Sequence, residues 1–188
     1  EGRLMENAAR RKLLNLMGVR YILDRTENAS TENTFPPDLF RPVYQDNDWK
    51  IFENLESLPR AFMVNRYSLY TSAHEFETMF FDESFDPGIH VLLTAKPDII
   101  PLLTEQAGTA TIQSYKPTEV IIRTDASADQ LLVLTDTFYP GWIAIVDDQT
   151  TQIHKADWTF RAVEVPKGTH TVTFRYQPLS FLWGSKHL

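Results

Sequence analysis

The chain of 188 residues has no cysteine, so disulfides, thiolate catalysis, zinc fingers and iron–sulfur clusters are all excluded. It has no basic excess. Lys plus Arg number 18 against 25 Asp plus Glu, for a formal charge of −7, which argues against a nucleic-acid binder that must neutralise phosphates. It has no long apolar run. Leu131–Leu134, Trp142–Val146 and the Pro-interrupted Ile99–Leu103 fall far short of the ~20 residues of a membrane span. No leader is visible, since the first 17 residues carry four basic and two acidic residues and no apolar stretch. The chain opens at Glu1 rather than Met, which points to a piece of a longer protein. Repeats and low-complexity segments are also lacking.

What is present is a globular composition, with 43% hydrophobic and 23% charged residues, which excludes a disordered acidic tail. A domain of this length buries roughly 70% of its unfolded surface and needs no metal or disulfide staple.

Periodicity predicts a helix through Leu4, Ala8, Leu13, Leu16 and Met17, stopped by Gly18, and then a strand over 19–23. The polar, Pro-containing stretch 24–48 reads as a long loop whose Phe35, Phe40 and Tyr44 pack on the body. Strands follow at 49–53 and 61–65. A helix is expected at 72–82, with Ser72 as N-cap and Glu75 completing a capping box. His90–Thr94 is strand-like, and 98–106 is either a helical turn or an irregular connection.

From residue 109 onward seven short strands alternate with turns, at 109–115, 119–124, 130–135, 142–146, 151–154, 160–165 and 171–176. The expected fold is mainly β with a few helices (α+β). It is an antiparallel, jelly-roll-like β-sandwich over 109–178, preceded by a small α/β portion over 1–108 packed on it and followed by a tail over 179–188.

Catalytic signatures are missing: GxSxG, HExxH, P-loop and GxGxxG do not occur. The five histidines are scattered and share no HxH or HxxxH spacing, which argues against a metal site. Neither a cofactor nor a metal is expected. Asp147-Asp148 is an adjacent carboxylate pair and reads as a solvated hairpin turn.

The informative segment is 132–176. Asp136 is followed by the turn Tyr139-Pro140-Gly141-Trp142, and Pro166-Lys167-Gly168 reads as a hairpin closure. Trp142 fits a core position; its other reading is a ring platform for a sugar or a partner. Asp136 and Arg161 either pair and hold a loop or line a groove, with pairing favoured. Tyr139, Gly141, Trp142, Trp158, Asp136 and Arg161 are the candidate binding or structural residues, and none is assigned as catalytic.

These motifs carry a resemblance. Tyr139-Pro140-Gly141-Trp142, Phe160-Arg161, Val165-Pro166-Lys167-Gly168-Thr169-His170, Phe174-Arg175-Tyr176 and Pro178 resemble the C-terminal region of the bacterial YfhO-type membrane proteins. The resemblance extends back through Asn54 and Leu58–Phe62 to Leu16–Leu23. At Asp148 the family has Gly, which argues for a looser connection than a two-residue turn.

The resemblance implies a polytopic membrane protein like the GT-C glycosyltransferases, which use lipid-phosphate-linked sugars for envelope polymers. The catalytic carboxylate of such proteins is expected in an early loop outside this chain. The chain would then be a non-catalytic extracytoplasmic accessory domain, its tail leading toward a membrane helix and its partner the transmembrane part. Two other readings stand beside it. One is a carbohydrate- or polymer-binding module with Tyr139, Trp142, Trp158 and Arg161 as its face. The other is a stand-alone hydrolase. An anionic polymer would require Arg20, Arg60, Arg66, Arg161 and Arg175 to cluster despite the acidic charge.

Overall fold

The computed structural model describes residues 7–28, 34–99, 101 and 107–178, which divide into two compact units, Glu1–Arg60 and Ala61–Leu188. The expected tail over 179–188 lies outside the described residues, as does most of the connection at 98–106.

In the first unit, helix α1 (Ala8–Leu16) begins on Asn7, whose side chain accepts from the Arg10 N–H at 3.1 Å. It stops as the sequence predicts. Gly18 has φ +68, its N–H donates to the Asn15 carbonyl, and the Val19 N–H donates to the Leu14 carbonyl, the paired bonds of a Schellman ending.

Strands β1 (Tyr21–Arg25), β2 (Phe40–Gln45) and β3 (Trp49–Asn54) form an antiparallel sheet in the order β1-β3-β2. The loop expected over 24–48 therefore contains a strand. Pro42 hid it, because proline cannot donate to a ladder. It is tolerated here because β2 is an edge strand whose register shifts between Pro42 and Tyr44. Phe35 packs edge-on against Phe40 at 5.5 Å and stacks on Phe52 at 4.0 Å, so those two aromatics are buried as expected while Tyr44 is exposed.

The second unit runs β4 (Ala61–Val64), β5 (Arg66–Leu69), α2 (Ala73–Phe80), β6 (His90–Leu93), β7 (Thr109–Lys116), β8 (Glu119–Ala126) and β9 (Gln130–Leu134). It continues through β10 (Trp142–Val146), β11 (Gln149–Thr151), β12 (His154–Ala156), β13 (Phe160–Val165) and β14 (Gly168–Tyr176). One sheet has the order β4-β9-β13-β12-β6-β5 and the other β11-β10-β14-β8-β7. Met63, Leu132, Leu134, Val163 and Val165 of the first meet Val120, Ile122, Ala144, Val172 and Phe174 of the second in one core. The fold is thus mainly β, a sandwich with two helices among the described residues. Every pairing is antiparallel except β5 with β6, which α2 joins as a parallel pair.

Residues 61–93, grouped above with the N-terminal portion, hydrogen-bond into the six-stranded sheet through β4–β9 and β6–β12. Three connections differ from the sequence reading. The strand expected at 151–154 is two strands, β11 and β12, in different sheets. Pro166-Lys167 carries the chain from one sheet to the other instead of closing a hairpin. The β10–β11 connection is a two-residue turn with Val146 paired to Gln149, not a looser one. Asp147 takes φ +51 there, and its carboxylate accepts from the Thr171 N–H at 2.9 Å, which supports the left-handed backbone without glycine.

Helix α2 starts on Ser72, whose Oγ accepts from the Glu75 N–H at 3.1 Å. Glu75 reaches one residue beyond the expected box and accepts from the Thr71 N–H at 2.7 Å. Ser72→Ala is expected to lower stability by about 1 kcal/mol, read as a reduced urea midpoint with an unchanged slope.

Candidate functional site

The inward face of β13 carries Arg161, Val163 and Val165. The two valines lie in the core, so Arg161 occupies the last layer at one end of the sandwich. Arg161 is only 3% exposed. Its guanidinium carbon lies 4.1 Å from the centroid of Trp142 on β10 and 5.6 Å from that of Phe174 on β14. Its Nη2 donates to Asp136 Oδ2 at 3.3 Å, while Nε and Nη1 have no hydrogen-bond partner among the described residues. Burial pushes the Arg161 pKa below the usual arginine value, opposed by the charges of Asp136 and Tyr115. Asp136 also accepts from the Tyr115 hydroxyl at 2.8 Å. The favoured pairing of Asp136 with Arg161 is therefore present.

Gly141 underlies this arrangement. It has φ +96, and a Cβ there would come within 2.9 Å of the Tyr176 ring and 3.1 Å of Pro178 Cα. Its carbonyl accepts from the Gln177 N–H at 2.6 Å. The Tyr-Pro-Gly-Trp turn thus docks the end of β14 against the start of β10, and Tyr176 lies 5.4 Å from the Trp142 ring.

Asp136, Tyr139, Trp142 and Arg161 line one open groove of about 390 Å³ with Tyr115, Lys116 and Tyr176. A smaller groove of about 220 Å³ lies on the other side of Tyr139, beside Phe138, Ile143 and Thr150. Four of the six sequence-selected residues therefore share a groove and Gly141 supports it. Tyr115 and Tyr176 are not among the residues selected from the sequence, where both read only as strand positions; each sits at the end of an alternating strand, where a tyrosine looks like any half-buried residue.

Trp158 lines neither groove. It belongs to an aromatic group with Tyr70 at 6.1 Å and Phe76 at 5.4 Å, with Lys155 Nζ 4.9 Å above its ring. It sits on the three-residue β12–β13 loop, where Asp157 and Trp158 have φ +44 and +73. Sequence reasoning missed Asp157. Its N–H donates to the Leu92 carbonyl at 2.8 Å and its Oδ1 accepts from the Leu92 N–H at 2.9 Å, so it extends the β12–β6 ladder beyond the single Ala156–Leu93 pair. Its Oδ2 is buried without a partner among the described residues. Burial pushes the Asp157 pKa up to about 7, against the Leu92 hydrogen bond that lowers it.

Three of the five arginines that an anionic polymer would require are each held by a carboxylate. Arg20 and Arg41 both bind Glu53 in the first unit, whereas in the second Arg161 binds Asp136 and Arg175 binds Glu119 at 3.0 Å. Among the described residues no group of three His, Asp or Glu is placed to hold a metal ion.

The fold and the groove define a β-sandwich domain closed at one end by an arginine–aromatic lock. Residues 102–185 match the family model described as bacterial membrane protein YfhO, so this part of the chain is similar to that family. The matched segment spans β7 to β14 and holds the groove; the likeness noted at Leu16–Leu23 and Asn54–Phe62 lies before it. No curated protein and no solved structure matches the chain.

Two measurements probe this chemistry. Arg161→Ala leaves Asp136 without its cation and opens the aromatic layer, and is expected to cost about 3–5 kcal/mol in urea unfolding. For Asp157, the unfolded carboxyl titrates near pH 4 and the folded one near pH 7. Between these values the folded chain holds a proton that the unfolded chain has lost, so stability falls as pH rises, by about 4 kcal/mol in all. Asp157→Asn keeps the acceptor for the Leu92 N–H and removes the titration. Its urea midpoint is expected to lose most of the slope between about pH 4 and 7 and to exceed that of the native chain at about pH 8.

Proposed function

We propose that this chain is a non-catalytic, extracytoplasmic accessory domain of a polytopic membrane protein resembling the envelope glycosyltransferases that use lipid-linked sugars. The carrying observation is the use made of the polar signature residues. Asp136 and Arg161 are engaged with each other and with Tyr115, Trp142 and Phe174, and they hold the end of the sandwich. Buried groups so committed are not available as acid, base or nucleophile without dismantling the layer. The match of residues 102–185 supports a membrane-embedded parent, whose transmembrane part is the partner in this reading. No helix among the described residues is long and apolar enough to cross a membrane.

A glycan-binding module remains a second reading, favoured by the tyrosine-walled groove. It is weakened by Trp142, whose ring is occupied by Arg161 at 4.1 Å and neighboured by Tyr176 at 5.4 Å, leaving little free face for a sugar.

The absence of cysteine offers a direct test. Asp148→Cys at the exposed β10–β11 turn, made in a cysteine-free form of the membrane protein that carries this chain, is expected to react with a membrane-impermeant maleimide in intact cells. Reaction only after lysis would overturn the extracytoplasmic placement. Sugar transfer or hydrolysis by the purified chain alone would overturn the non-catalytic role.

A further inference from the structure

The two ends of the sandwich differ in chemistry. At one end lie the close of β7, the β9–β10 connection and the close of β14. They are brought together by the Tyr115–Asp136 bond and the Trp142–Tyr176 register pair. Tyr115, Phe138 and Tyr139 are 51%, 38% and 60% exposed there. Two carboxylates at this end are ion-paired, Asp136 with Arg161 and Glu119 with Arg175, Asp157 is buried, and Lys116 stands on the groove rim. At the other end lie the β8–β9, β10–β11 and β13–β14 connections, with Asp125, Asp129, Asp147 and Asp148 beside Lys167 and His170.

From this polarity we infer that the aromatic end of the sandwich lies in the headgroup zone of a phospholipid bilayer, with Phe138 and Tyr139 inserted. The inference rests on the membrane-protein reading above and adds an orientation to it. Aromatic rings with polar tips concentrate at membrane interfaces, and an end whose groove-side carboxylates are ion-paired loses less on leaving water than one with free carboxylates. The opposite end is repelled by anionic lipid, which fixes the direction of approach. The exit of the chain agrees. β14 runs toward the aromatic end, where the Gln177 N–H donates to the Gly141 carbonyl, and the sequence that follows includes Leu179, Phe181, Leu182 and Trp183.

The test uses the whole chain, attached through a carboxy-terminal hexahistidine to vesicles of phosphatidylethanolamine and phosphatidylglycerol that contain a nickel-chelating lipid. Tyr139→Cys and Asp148→Cys are each labelled with an environment-sensitive nitrobenzoxadiazole dye. The expected result is a blue shift at position 139 that brominated lipid quenches, with no change at position 148. Equal response at both positions, or none at 139, would overturn the inference, as would a shift at 139 produced by soluble glycan and not by vesicles. Phe138→Cys repeats the measurement should Tyr139→Cys unfold in a thermal melt. Reaction of position 148 from outside intact cells, combined with silence at 139 on vesicles, would sink this orientation while leaving the extracytoplasmic placement intact.

Discussion

The second unit depends on a cation placed where a sandwich ordinarily carries an aliphatic side chain. Arg161 follows the inward alternation of β13 into the end of the core, where an unpaired guanidinium would be costly. Asp136 supplies the counter-charge, and Trp142 and Phe174 supply two ring faces from the facing sheet. The side chain therefore bolts the six-stranded sheet to the five-stranded one. Buried ion pairs often add little net stability compared with apolar packing. What this pair contributes is position, since a slip of one residue in β13 would turn Arg161 outward and break contacts with both sheets at once.

Two aspartates show how the same residue type serves opposite ends of this design. Asp147 and Asp157 both sit in tight turns with positive φ. Asp147 is exposed, and its hydrogen bonds with His170 and the Thr171 N–H hold its pKa below the usual carboxylate range; the same contact raises that of His170. Asp157 is enclosed, with one oxygen unmatched, and moves the other way. The turn chemistry is shared, and solvent access decides the sign.

Much of this was legible in the residues. The alternation of Val172, Phe174 and Tyr176 marks a strand, and Pro140-Gly141 marks its docking turn, because period and backbone freedom are local properties. The Gly18 stop of α1 and the Ser72 cap of α2 were legible for the same reason. Strand β2 was not, because Pro42 is a breaker unless the strand lies on an edge, and edge position is set by the whole sheet. Nor was the assignment of strands to sheets: Pro166-Lys167-Gly168 has the composition of a hairpin and the geometry of a crossover. Of the candidate residues, Asp136, Trp142 and Arg161 were visible as polar or aromatic interruptions of strong strands. Asp157 was hidden because its importance comes from Leu92, 65 residues away.

One property of β14 reaches beyond packing. This strand lies in the middle of its sheet, with β8 registered along Gly168–Arg175 on one side and β10 along Val172–Tyr176 on the other. A tug on the chain where it leaves the sandwich acts along the strand axis, so both ladders are loaded in shear rather than unzipped one rung at a time. Shear of two ladders resists extension more than the unzipping of an edge strand, so this exit point is the mechanically strong end of the strand.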